Sequence, residues 1–554
     1  MTERLEDTLR GRIAYDGTRT PLKTVLFLLV CFAWLLPGLV GHDPWKSDEA
    51  ISFGIVLEML RTGDWVIFRV AGEPYFETAP LFLWVAALSA KLWGGILPLH
   101  DAARLAAGLF MAITLGLISL TAVELTGERA LRLAVLLFIG CLGLLIRAHE
   151  MNPDLAGLTG IALGLYGLAL ATRRPYLGGL WAGLGVGVAF LGTGFLSAAL
   201  LLALMAILPL AGPWWRSRSY AATVAVALVC AAPLLAAWPL LLASASNTGL
   251  ALWFDIASTS RWSTPFAHSN FAELVYLLRI LPWYTWPAWP LAAWAVWRSR
   301  RTLGARRDLL LPLIAFATFL VLTSLFGEAR EVKAMPLLLP LAILGVAELE
   351  SLPRGAASAL DWFGMTTFFF FAALLWVAWL AATTGSPQIA AAWLAREVPG
   401  YRYPFNFLAF ALAALLTLIW LVVEARSLRS TRRALVNWAA GITMVWMLMM
   451  TLGLPLVDQA RSYRAVAARL VQALPADFHC VAGKNLGDAQ RALLDYFVGL
   501  RTVRLDSAQA AGCNALLLQA TPERVPPLGA EWSEIWRGSR PGDRNEIFIL
   551  YRRR

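Results

Sequence analysis

One pattern constrains this chain above all others: apolar runs near the length that crosses a bilayer recur along most of it. They fall at about 24–41, 81–98, 104–124, 130–146, 155–171, 177–192, 194–211, 220–245, 274–297, 309–326, 334–348, 362–383, 404–424 and 434–455. About 20 such residues span the hydrocarbon as a helix, and several runs sit near the lower limit. Composition agrees. Of 554 residues, 59% are hydrophobic and 15% charged, and the mean hydropathy is +0.63. A soluble domain carries about a quarter charged residues. One soluble globule is excluded, because the polar side chains are too few to cover the apolar ones. Disorder is excluded for the same reason, and five cysteines are too few for a disulfide scaffold. The expected fold is a polytopic α-helical membrane protein. Its 25 Trp and 12 Tyr suit the bilayer interface.

The net charge of +11 does not point to nucleic acid, since the basic residues form short clusters between apolar runs, not one basic face. These clusters orient the chain. Arg4, Arg10, Arg12, Arg19 and Lys23 precede the first run, which predicts a cytoplasmic N-terminus. No small-residue cleavage site ends that run, so it reads as a retained anchor. If 81–98 crossed, Arg173–Arg174, Arg216 with Arg218, Arg298 to Arg307 and Arg426 to Arg433 would all face outward. If 81–98 lies along the interface, all of them fall inside, with Arg129, Arg132 and Arg354. Trp84, Trp93 and a snorkelling Lys91 suit that placement. Thirteen crossings and an external C-terminus follow. The long outside segments are then 42–103, 246–273, 384–403 and 456–554. The expected division is a membrane domain over 1–455, with 42–103 as first periplasmic loop, and a soluble domain over 456–554.

From about 461 the composition changes to many charges and short alternating apolar runs. It predicts helices near 461–473 and 486–497, and strands near 478–482, 501–504, 514–518, 531–537 and 545–551. This is a small α/β domain. Cys480 and Cys513 lie in it, either as a disulfide or as buried free thiols. Cys31, Cys141 and Cys230 read as packing residues.

The first external loop carries the densest chemistry. His42-Asp43-Pro44-Trp45-Lys46-Ser47-Asp48-Glu49-Ala50 opens an apolar-periodic stretch closed by Gly63, which predicts an interfacial helix capped by Ser47. Acids in a first helical turn are favoured by the helix dipole alone. Two carboxylates at a membrane surface also suit a base or a metal ligand. Downstream, Arg69 has the planar fork that pairs with phosphate, or it snorkels; Glu77 precedes the interfacial run. Asp154 follows the third crossing, as a second site acid or a plain N-terminal charge. Asp255, Arg261 and His268 share an external loop, where a lone histidine is most often structural. Arg330 and Lys333, within Glu328-Ala329-Arg330-Glu331-Val332-Lys333, place two cations where an anionic headgroup would sit; a solvated charge run is the alternative. The chain has no phosphate-binding Gly-rich loop, no dinucleotide fingerprint and no zinc-type Cys/His spacing.

These residues carry a resemblance. Trp45-Lys46-Ser47-Asp48-Glu49-Ala50, then Gly63-Asp64-Trp65, Arg69, Gly72, Tyr75-Phe76-Glu77 and Pro80-Leu81, Pro153-Asp154, and Leu339-Pro340-Leu341 stand in an order that resembles the GT-C membrane glycosyltransferases. The branch is the bacterial ArnT type, the lipid A aminoarabinose transferases, with relatives of the protein O-mannosyltransferases. The resemblance implies an inverting transfer of a sugar from undecaprenyl phosphate to an envelope acceptor, above all lipid A. It places the reaction at the periplasmic face of a bacterial inner membrane, by a monomer that uses no nucleic acid. It makes Asp48 the catalytic carboxylate and Asp154 a second acid. Glu49, Arg69, Glu77, Arg261, His268, Arg330 and Lys333 would bind substrate. It implies no certain cofactor; Glu77 and His268 are the candidate ligands of a divalent metal. The chain departs from the pattern at Thr78 and Thr193, where the family usually carries Lys, and lacks its Tyr before Leu339-Pro340. Another sugar, or a protein or polysaccharide acceptor, stays open. A lipid or sugar transporter predicts charges buried mid-span and inverted repeats, and the charges here lie mostly at span ends. A scaffolding protein predicts no dependence of any activity on Asp48.

Overall fold

The structure, a computed structural model, describes residues 21–46, 48–262, 268–426 and 431–554. The side chains of Pro21, residues 257–262 and 268–271, and Thr431 also lie outside the described part. Helices α1 (Pro21–Leu35), α2 (Asp48–Thr62), α3 (Pro80–Trp93), α4 (Leu99–Thr126), α5 (Ala130–Ile139), α6 (Asp154–Leu170), α7 (Pro175–Thr193), α8 (Phe195–Ala211) and α9 (Arg218–Ala245) form the first half. The hairpin β1 (Arg69–Val70) and β2 (Glu73–Pro74) lies between α2 and α3. The second half contains α10 (Asn247–Trp262), α11 (His268–Tyr284), α12 (Ala288–Arg298), α13 (Arg307–Phe326), α14 (Met335–Ala347), α15 (Arg354–Thr384), α16 (Gln388–Glu397), α17 (Phe407–Arg426) and α18 (Thr431–Leu448).

Among the described residues, seven helical stretches are long and apolar enough to cross a membrane, and five apolar helices are shorter. The 81–98 run is one of the short ones. As α3 it has 14 residues, about 21 Å of helix, against about 30 Å of hydrocarbon. The 274–297 run is two helices, α11 and α12, parted by a turn at Pro287. The 434–455 run does not stop at the membrane edge. It passes through a π-helical turn at Met449–Gly453 into α19 (Leu454–Arg461).

Small residues set a close helix contact between α6 and α7. A Cβ on Gly160 would stand 2.2 Å from the backbone nitrogen of Ala189. Only glycine lets the two backbones approach so closely. The two helices are antiparallel, so the start of α6, at Asp154, meets the end of α7, at Thr193; a Cβ on Gly157 would stand 2.5 Å from the Thr193 hydroxyl oxygen.

The C-terminal domain follows with α20 (Arg464–Gln472), β3 (Val481–Lys484), α21 (Asp488–Val498), β4 (Thr502–Arg504), β5 (Ala515–Ala520), β6 (Trp532–Gly538) and β7 (Ile547–Arg553). Its sheet order is β4-β3-β5-β7-β6. The β3–β4 and β3–β5 pairs are parallel, and β7 runs antiparallel to both β5 and β6. Every helix and strand read from the sequence is present within a few residues. Cys480 and Cys513 form a disulfide that ties the start of β3 to the start of β5. Helix α21 lies on α2, where Gly54 faces Ala492 with no room for a side chain. The first loop is thus sandwiched between helical body and C-terminal domain. Helix α2 is buried along most of its length, and does not float on a lipid surface as its apolar periodicity predicts.

Candidate active site

Asp48 is the first residue of α2, and its carboxylate faces outward, 26% exposed. One guanidinium nitrogen of Arg330 donates to both carboxylate oxygens at 2.5 Å. Three residues on, the Lys333 ammonium donates to Asp154 at 2.8 Å. Arg330 is extended and Lys333 belongs to the single 3-10 turn Glu331–Ala334 between α13 and α14. One short segment therefore holds the two sequence-predicted acids, from chain regions over a hundred residues apart, side by side. The same turn is tied to the loop before α6 by Arg147, which reaches Glu331 at 3.5 Å and Glu150 at 2.9 Å. Burial pushes the Glu150 carboxyl up to about 7, although Arg147 opposes it. Burial pulls Arg330 down, yet Asp48 and Glu328 outweigh it and leave the guanidinium above its ordinary range.

Beside this pair lies a small cavity of about 30 Å³. Asp154 and Lys333 form its charged wall, and Leu158, Leu196 and Val332 contribute apolar ones. Thr193, where the family usually carries Lys, lines it, and its hydroxyl bonds Ser197 at 2.5 Å.

The other predicted residues divide. Tyr75 donates to the exposed Glu77 at 3.2 Å. Burial first, then Glu77, and more weakly Asp48, push the Tyr75 phenol well up, so this corner lies within electrostatic reach of Asp48. Arg69, half-buried on β1, has no acidic partner among the described residues. The side chains of Arg261 and His268, and Ser47 as a helix cap, lie outside the described residues. Among those described, no group of three or more His, Cys, Asp or Glu could hold a metal.

Glu49 needs correcting. It is one residue, hence about 100°, around α2 from Asp48 and points inward. It is 2% exposed, accepts from Arg104 at 2.6 Å and from the Trp45 backbone at 3.0 Å, and cannot meet a substrate. Burial raises its carboxyl, but Arg104 and His42 hold it below the usual range. Arg104 also bonds Asp101 at 2.6 Å and the carbonyls of Leu39 and His42. This network fixes the turn that enters α2. Arg104 went unmarked in the sequence, although a charge at the head of an apolar run is a signal in itself.

A second set of contacts grips residues 43–46, just ahead of Asp48. Arg464 and Ser462 bond Asp43. Asp458 accepts from the Trp45 indole at 2.9 Å and from the Asp43 backbone at 3.0 Å. Lys46 reaches Glu546 at 2.9 Å. Glu546 is 5% exposed and also accepts from Tyr463 ahead of α20, Gln490 on α21 and Gln519 on β5. None of these C-terminal partners carries a sequence signal, because each matters only through a contact hundreds of residues away.

Two acids, each paired with one cation, thus stand at one end of a helical membrane body, beneath a small α/β cap. A family profile described as dolichyl-phosphate-mannose-protein mannosyltransferase matches residues 77–238. An undecaprenyl phosphate-alpha-4-amino-4-deoxy-L-arabinose arabinosyl transferase of Serratia proteamaculans is 26% identical over 347 residues, 61% of this chain and 60% of its own length. The protein of that name in Pseudomonas aeruginosa is 28% identical over 432 residues, 73% of this chain and 76% of its own length. The crystal structure of ArnT from Cupriavidus metallidurans bound to undecaprenyl phosphate superposes with a TM-score of 0.67 at 18% identity, covering 95% of this chain and 97% of that one. The chain is thus similar over most of its length to transferases of the ArnT type and shares the fold of the ArnT crystal structure.

Proposed function

We propose that this protein moves a sugar from undecaprenyl phosphate to an envelope acceptor, most simply lipid A, with inversion at the sugar. The observation that carries the reading is the pairing of Asp48 with Arg330 and Asp154 with Lys333 on one short segment. A phosphodiester donor brings its own leaving group. What it needs is cations against the phosphate and a carboxylate for the acceptor. When the donor phosphate enters, Arg330, Lys333 and Arg69, which has no acidic partner among the described residues, are the cations that meet it. Asp48, relieved of Arg330, takes the proton of the acceptor hydroxyl. The acceptor oxygen bonds to the sugar carbon as the carbon–oxygen bond to phosphate breaks, and the electron pair leaves with undecaprenyl phosphate. Asp154 keeps Lys333 in place. Glu77, with Arg261 and His268, completes the substrate-facing set, and Glu77 with His268 is the pair for a divalent ion if one is required.

The charge pattern supports thirteen crossings with a cytoplasmic N-terminus, and with them a site and a C-terminal domain, 456–554, on the periplasmic side of the inner membrane. The arrangement suits a monomer, since both site acids come from one chain. A second reading is transfer to a protein. The description of the matching family and the loss of Lys at Thr78 and Thr193 favour it.

The test uses purified protein, undecaprenyl-phosphate aminoarabinose and lipid A, with mass spectrometry of the lipid product. We expect transfer by the wild type. We expect Asp48→Asn to lose about 10²-fold or more in turnover while its melting curve stays unchanged. Wild-type turnover in Asp48→Asn refutes the catalytic assignment.

A further inference from the structure

Where the C-terminal domain meets the start of the first loop, the chain forms a cleft of about 450 Å³ that is open to solvent. That size falls within the usual range for small-molecule pockets, roughly 300–1,000 Å³. It is separate from the small cavity beside Asp154. All of its lining residues are polar except Ala520, which suits a polar ligand better than a lipid tail. Lys46 forms one wall, and the rest comes from the C-terminal domain, including Asn485, Gln519, Thr521, Arg524 and Asn545. Lys46 is two residues from Asp48, so a ligand here adjoins the catalytic loop.

The charges are unevenly committed. Lys46 is paired with Glu546, and Arg540 with Asp543. Arg524 is exposed and has no acidic partner among the described residues. The buried Glu546 fixes Lys46 and Gln519 in place, so these donors are pre-oriented before a ligand arrives. Asn485 holds a backbone φ of +60°, a conformation asparagine tolerates and most side chains do not. Amides, a hydroxyl and carboxylates around one spare guanidinium make donors and acceptors for hydroxyl groups and a single cation for an anionic substituent.

We infer that this cavity is a binding site for a saccharide bearing an anionic group such as a phosphate. The ligand is either the headgroup of the lipid-linked acceptor or a free sugar phosphate. In the first case the inference rests on the transfer reaction proposed above and names where the acceptor's polar end sits.

The probe is a water-soluble phosphorylated glucosamine disaccharide without acyl chains, titrated calorimetrically into the detergent-purified full chain. Two exposed positions serve as variants. Arg524→Gln removes the spare cation, and Thr521→Trp fills the cavity. The wild type should bind the probe. Both variants should weaken binding about tenfold or more, Arg524→Gln by the loss of one charge-assisted hydrogen bond and Thr521→Trp by occupying the ligand's space. If acylated acceptor displaces the probe, and the variants raise acceptor KM about tenfold with kcat and donor KM unchanged, the ligand is the acceptor headgroup. Probe binding that the variants abolish but acylated acceptor does not displace identifies a free sugar phosphate. If the wild type transfers nothing to lipid A and the variants still abolish probe binding, the cavity stands and the lipid A reaction falls. Absence of wild-type binding, or equal binding by all three proteins, overturns the inference.

Discussion

Asp48 and Glu49 are neighbours in sequence and opposites in chemistry. Asp48 looks out at a paired arginine, and Glu49 looks in at a buried one. Their variants should separate along that line. Asp48→Asn is a change at a partly open site, so activity falls and stability holds. Glu49→Ala leaves Arg104, which is fully buried, with Asp101 as its remaining carboxylate. Breaking a buried ion pair from one side costs about 3–5 kcal/mol, and the surviving partner puts this case at the low end. Thermal unfolding in detergent should show a clear drop for Glu49→Ala and none for Asp48→Asn. Equal melting points would remove the structural role given to Glu49. The sequence could show that two acids stand together at a helix start. It could not show which faced the core, because that depends on Arg104, whose own role is visible only once α4 packs behind the loop.

At the scale of elements, the segment 328–333 and the segment 43–46 do complementary work. The first brings Arg330 and Lys333 to two distant acids. The second fixes the chain just ahead of Asp48 through the C-terminal domain. If Lys46 acts by positioning, Lys46→Met should lower kcat by about tenfold, within the roughly 10²-fold that a 1 Å misplacement of a catalytic group can cost. Donor KM should stay, and Lys46→Arg should restore most of the rate by renewing the pair with Glu546. Unchanged kcat in Lys46→Met, in a kinetic assay of purified protein, removes the positioning role. Element by element, the C-terminal helices and strands were legible, since strand alternation and turn residues are local signals. The hairpin at 69–74 was not: its strands are two residues each, held by the Ala71–Gly72 turn and by packing against α2 and α21. Nor was the break between α11 and α12, because apolar composition continues across Pro287. The 328–333 cluster was visible as charge, while its two partners could be paired with it only in the folded chain.

The molecule as a whole is a helical membrane body capped by a small sheet domain, and the seam between them is rich in ion pairs. Asp43 meets Arg464. Glu58 and Asp495 share Arg61 and Arg501. Glu73 and Asp488 share Arg491 and Arg504. Burial alone would raise the Asp43 and Glu73 carboxyls. Arg464 with Ser462, and Arg491 with Arg504, more than reverse this and hold both below the ordinary range. A carboxyl lowered in the folded state contributes stability that is complete above its unfolded value, about 4, and is lost as pH falls through its folded value. Acid should therefore open the seam from the outside, since the apolar contacts within the membrane body do not titrate. Hydrogen exchange on detergent-solubilised protein should show α2, the β1–β2 hairpin and residues 43–46 losing protection as pH falls below about 4, while α6 and α7 stay protected. Salt at neutral pH should loosen the half-exposed Glu73–Arg504 pair, because screening acts on exposed charges, and should leave Glu49–Arg104 intact. Transfer activity should fall with protection at the seam, because Asp48 depends on the turn that the seam holds. If α2 keeps its protection until the membrane helices melt, the cap is held by apolar contact and the ion pairs do not position the site.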